Sequence, residues 1–152
     1  GGFAALELAN DAYEDSDYTK ALQYYTTAEN ALSKHPLKDK ASIGIAFTRY
    51  QMDSFEGLSA LESLFADSNK LESVRAEAGY ILLVDAKSKG DEAKVKAFAE
   101  TINAFENAGN WKFRIQIPQI IVILLSSLIL DQIALILDQD RFLFLKYDHP
   151  SQ

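Results

Sequence analysis

Four carboxylates crowd one short stretch, Asp11, Glu14, Asp15 and Asp17, and their types and spacing come nearest in this chain to chemistry. Side chains so placed could hold a calcium ion. A calcium loop between helices needs glycine at its sixth position, for a sharp turn, and a bidentate glutamate at its twelfth. Counted from Asp15, those positions hold Lys20 and Thr26. The run therefore reads as a solvated turn and helix cap. The two histidines, His35 and His149, each stand beside a proline, Pro36 and Pro150, without a second ligand. There is no cysteine, which removes disulfides, thiol nucleophiles and cysteine-ligated zinc. No glycine-rich phosphate loop and no nucleophile elbow occurs. We expect no enzyme, no cofactor and no metal.

The elements around that acidic run are helical. Leu8-Ala9, Tyr13, Tyr18, Ala21, Tyr25 and Ala28 place small residues and rings at helical spacing on either side of Glu14-Asp15-Ser16-Asp17. Small residues let two helices approach, and the rings fill the space beside them. Residues 3–14 read as a first helix. A second starts at Asp17, whose carboxylate can cap the free N–H groups of the first turn, and stops before Pro36, near Lys34. Further helices are expected over about 38–51, 55–66, 70–88 and 92–106. Asn69 and Glu72 form a capping box for the fifth, and Gly90-Asp91 separates the last two.

The turns recur. Adding 37 to Leu8, Ala9, Tyr13 and Tyr18 lands on Ile45, Ala46, Tyr50 and Phe55, and Ser16, Asp53 and Gly90 are 37 apart. This pattern resembles the tetratricopeptide (TPR) repeat, with one good pair of helices, one fair pair and one degenerate pair. The resemblance implies an all-α fold, a short right-handed α-solenoid of helical hairpins over residues 1–107, with an apolar C-terminal extension over 108–152. In TPR proteins the first helix of each pair lines a groove that takes a peptide or a helix. Carried over, the groove receives Leu6, Asn10 and Tyr13, then Lys40, Ile43, Phe47 and Tyr50, then Glu77, Tyr80 and Val84. Of the lysine, asparagine and arginine clamp by which chaperone-binding members hold a terminal carboxylate, only Asn10 matches. What remains is an aromatic and aliphatic groove for an apolar segment. The expected function is a non-catalytic protein–protein interaction scaffold. The alternative is a structural module whose tail builds an oligomer. Similarity in size and acidity to envelope-anchored bacterial TPR proteins implies a periplasmic or cell-envelope location.

Charge divides the chain at the same place. Residues 1–107 hold 18 Asp and Glu against 11 Lys and Arg, while residues 108–152 hold 4 against 4. The net charge of -7 argues against nucleic acid, whose phosphates need clustered Lys and Arg. In the extension, Trp111, Phe113, Ile115 and Ile117 alternate with polar residues, a strand signal that Pro118 ends. From Gln119 to Tyr147, Leu-Ile-Leu-Asp-Gln at 128–132 returns at 135–139, and the seven-residue spacing favours a helix over a strand. On that helix Ser127, Asp131, Ala134, Asp138 and Arg141 form one narrow stripe. The remaining apolar surface must be covered by this chain, by a second copy through residues 119–147, or by lipid. Ile120 to Leu137 approaches the length of a membrane span, about 20 residues, yet Asp131 alone costs roughly 3 kcal/mol at mid-membrane. A membrane connection is also expected through a segment upstream of Gly1, where the chain opens without an initiator Met.

Overall fold

A computed structural model of the chain describes residues 1–147, and among them the side chains apart from those of 117–120, 122–123 and 137–147. Seven helices account for nearly all of it, and no strand occurs among the described residues. They are α1 (Gly2–Glu14), α2 (Tyr18–Ala31), α3 (Lys38–Met52), α4 (Ser54–Ala66), α5 (Glu72–Ser88), α6 (Glu92–Ala104) and α7 (Asn110–Tyr147). The chain divides into two compact units, Gly1–Phe113 and Arg114–Gln152.

Within the first unit each helix packs on the next, α1 also touches α3, and α3 also touches α5. Such an order, consistent with a helical repeat, starts from the turns. The second helix of every pair is capped by an aspartate. Asp17 accepts from Lys20 N–H at 3.1 Å, Asp53 from Phe55 N–H at 2.9 Å and Glu56 N–H at 3.3 Å, and Asp91 from Lys94 N–H at 3.1 Å. Each cap satisfies first-turn N–H groups that otherwise have no intrahelical partner. The preceding turns use left-handed backbone at Ser16 (φ 61°) and Gly90 (φ 72°).

Small residues then set how near the helices lie. Ala9, Ala21, Ala28 and Ala46 are all buried, as their spacing required. Ala9, Ala12, Ala21 and Tyr25 make one cluster, and Ala5, Ala28, Leu32 and Ala41 a second. Ile43, Ala46, Leu61, Val74, Ala78 and Leu82 join α3, α4 and α5. The tightest crossing is at Gly57, where an added Cβ would fall on the main-chain N and Cα of Tyr50.

Three expectations are corrected. Asn69 does not cap α5. Its N–H donates to Asp67 Oδ1 at 2.9 Å, and Leu71 takes the cap position while its own N–H donates to Asp39 Oδ2 at 3.1 Å. The Glu72 carboxylate does not close a capping box either. Its Oε2 accepts from Asn107 N–H at 2.6 Å and ties the segment after α6 to the start of α5. A long-range partner has outbid the local one. The alternating stretch 111–117 is helical, not a strand, and the helix continues through Pro118. A strand needs a neighbour for its hydrogen bonds, and none of the described residues supplies one. The missing proline N–H costs about 3 kcal/mol, less than leaving a whole strand unpaired. The second helix ends at Ala31, three residues earlier than read, because the chain turns at Leu32 to His35.

Gly57→Ala tests the crossing. Alanine returns up to about 1 kcal/mol of helix propensity, but overpacking costs about 1–3 kcal/mol, and here the obstacle is backbone that no rotamer change can move. The urea midpoint should fall, by about 1–2 kcal/mol net in stability. An unchanged midpoint would mean that α3 and α4 do not meet there.

Candidate functional site

The odd-numbered helices α1, α3 and α5 share one side of the first unit, and a cleft of about 220 Å³ lies among them. Leu6 and Asn10 come from α1, Lys40, Ile43, Gly44 and Phe47 from α3, and Glu77 from α5. Tyr25 of α2 lines it too. Gly44 keeps room for that ring, since a Cβ there would come within 2.5 Å of Tyr25 Cε1.

Polar groups of the cleft are already engaged with one another. Tyr25 Oη donates to Asn10 Oδ1 at 2.7 Å. Lys40 Nζ pairs with Glu77 Oε2 at 3.0 Å. Positions 40 and 77 differ by the 37-residue period, so equivalent places on neighbouring odd helices meet in space. Both partners are partly exposed, and the pair contributes little to stability.

Beside the cleft runs a line of rings. Tyr13 stacks on Phe47 with centroids 5.3 Å apart, Phe47 on Tyr50 at 6.2 Å, and Tyr13 meets Tyr18 at 5.5 Å. Tyr50 Oη donates to Asp85 Oδ1 at 3.1 Å, and Lys89 Nζ holds the other oxygen of that carboxylate at 2.7 Å. Burial and the Asp85 carboxylate raise the Tyr50 pKa above its ordinary value. Burial also raises that of Tyr13, against a hydrogen bond from Gln51.

Of the residues expected in the groove, Leu6, Asn10, Ile43 and Phe47 line the cleft, together with Lys40 and Glu77. Tyr13 and Tyr50 flank it through Phe47. Tyr80 does not line it and lies against Trp111, centroids 5.3 Å apart. Val84 does not line it either and is 48% exposed. The sequence reading assigned Tyr25 to the hairpin core and overlooked its floor position. A glycine in mid-helix at 44 was the available signal. Among the described residues no group of three or more His, Asp and Glu is placed to hold a metal. In the acidic run Asp17 caps α2, and Asp11, Glu14 and Asp15 are exposed. His35 meets Phe3 edge-on, centroids 5.2 Å apart, and His149 lies outside the described residues.

Comparisons with protein-family models, with curated proteins and with solved structures find no match to this chain.

Tyr25 gives the cleft a pH signature. Its pKa is raised to about 12, first by burial, then by the charges of Tyr13, Glu77 and Glu14. A raised folded-state value favours the neutral ring in the fold. The stability it contributes is complete below pH 10 and lost between about 10 and 12. Tyr25→Phe should cost about 1 kcal/mol at neutral pH and flatten much of the alkaline loss, read from urea midpoints across pH 8–12. An equally steep loss in the variant would place the titrating group elsewhere.

Proposed function

We propose that the chain is a non-catalytic protein–protein interaction scaffold of TPR-like kind. In this reading three helix pairs over residues 1–107 form a short right-handed solenoid, and its odd helices receive an apolar peptide or helix. One observation carries it. Side chains of three successive odd helices converge on a single cleft with aliphatic and aromatic walls. Its volume of about 220 Å³ falls below the 300–1,000 Å³ typical of small-molecule sites. One inserted side chain from a larger partner suits it better. Phe47 is the central contact, since it faces both the cleft and the ring line.

Phe47→Ala should therefore weaken capture of a Leu- and Phe-containing peptide at least about tenfold, while the melting temperature falls by only a few degrees. Isothermal titration and a thermal scan on the same samples decide it. Equal loss of both would make Phe47 ordinary core.

A second reading, self-association through residues 119–147, rests on α7. Its nine described large apolar side chains from Ile121 to Ile136 are 47–64% exposed in the single chain. Asp131 is exposed, as the narrow polar stripe requires, whereas the side chains of Asp138 and Arg141 lie outside the described set. Among the described residues no helix is long and apolar enough to cross a membrane. Leu130→Asp with Ile133→Asp should reduce the mass seen by light scattering if copies associate through this helix. An unchanged mass would remove that reading.

A further inference from the structure

A second cleft, of about 420 Å³, lies over α3 between α2 and α4. Those two helices do not meet, so each packs on α3 and leaves a gap above it. None of its lining residues belongs to the cleft among the odd helices. Its volume falls within the 300–1,000 Å³ typical of small-molecule sites. Ser42, Ala46 and Arg49 stand at i, i+4 and i+7 of α3 and so share the face that forms its floor. Ala46 and Ala60 leave the room, and Ile45 and Leu64 supply apolar surface. Four charged side chains line the cleft, Glu29, Arg49, Asp67 and Lys70. Two are engaged elsewhere. Lys70 Nζ pairs with Asp39 Oδ1 at 3.1 Å, and Asp67 Oδ1 accepts from Asn69 N–H at 2.9 Å. Glu29 and Arg49 have no ion pair among the described residues. Glu29 is nevertheless held in place. Its Oε1 accepts from Ser42 Oγ at 2.5 Å, and Ser42 is only 9% exposed. A buried hydroxyl thus fixes a carboxylate at one end of the cleft. Arg49 stands seven residues further along α3, about 10.5 Å along the helix axis.

We propose that this second cleft binds a free dipeptide with apolar side chains. The ammonium of the ligand meets Glu29. Its carboxylate meets the Arg49 guanidinium, whose planar fork takes both oxygens. Its side chains lie on Ile45 and Leu64. The charges select a zwitterion. A simple carboxylate meets repulsion at Glu29, and a simple amine meets it at Arg49. Length then selects among zwitterions. Two extended residues span about 7 Å, and a hydrogen bond of about 3 Å completes the reach from one charged group to the other. A single amino acid is one residue too short to touch both.

Isothermal titration of the full chain with Leu-Leu tests this. Leu-Leu should bind. Free leucine, N-acetyl-Leu-Leu and Leu-Leu amide should each bind at least about tenfold more weakly, since each lacks one charge-assisted contact. Arg49→Gln should bind Leu-Leu and its amide alike. Glu29→Gln should bind Leu-Leu and its N-acetyl form alike. Both variants should keep the melting temperature of the parent, because Arg49 is exposed and a glutamine at position 29 still accepts from Ser42. Failure of the parent to bind Leu-Leu at millimolar concentration overturns the proposal. Equal binding of free leucine, or of either capped form, overturns it too, and so does a parent-like preference that survives in the variants.

Discussion

The distance at which helices cross governs this molecule. Alanine or glycine stands at the crossings, and at Gly57 one helix lies directly on the backbone of another. Close backbones leave little room for large side chains inside the pairs. Rings such as Tyr13, Phe47 and Tyr50 are therefore displaced to the rims, where they stack on one another half-buried. The cleft follows from that displacement. It forms where Gly44 makes way for Tyr25 and the neighbouring rings cannot close the gap.

Aspartates provide the second constraint. Asp17, Asp53 and Asp91 each end a turn and begin the returning helix by accepting first-turn N–H groups. Local chemistry thus sets the reversal of direction, and small residues set the spacing after it. The junction between α5 and α6 depends on more distant partners. Arg75 donates to the Phe65 carbonyl at 3.0 Å and lies 4.6 Å over the Phe105 ring, while Glu72 holds Asn107 N–H. These three contacts join the ends of α4, α5 and α6, where Phe65 also meets Phe98 and Phe105 edge-on.

Features decided within a few residues were legible in the sequence. The caps at Asp17 and Asp91, the buried alanines and the turn at Gly90 come from such short-range rules. Lys40 and Glu77 were each expected in the groove, but their pairing was not, although the two positions differ by the 37-residue period. Features decided over long range were not. Glu72 stands at the right spacing for a capping box, yet Asn107, 35 residues on, takes its carboxylate. Alternation at Trp111, Phe113 and Ile115 mimics a strand, because period two and period 3.6 cannot be told apart over so few residues. In the groove, the odd-helix register located Leu6, Asn10, Ile43 and Phe47. It missed Tyr25, which reaches the floor from an even helix past a glycine.

Because each helix of the first unit touches chiefly the helices next to it in the chain, its contacts are short in sequence. Ordering such a chain closes only small loops, so the entropy lost before each contact forms is modest. Hairpins can form independently and then join their neighbours. An end pair has one neighbour where an inner pair has two. Within the first unit the α1–α2 and α5–α6 pairs are such ends, and either can open and reclose with less disturbance to the rest than the inner α3–α4 pair.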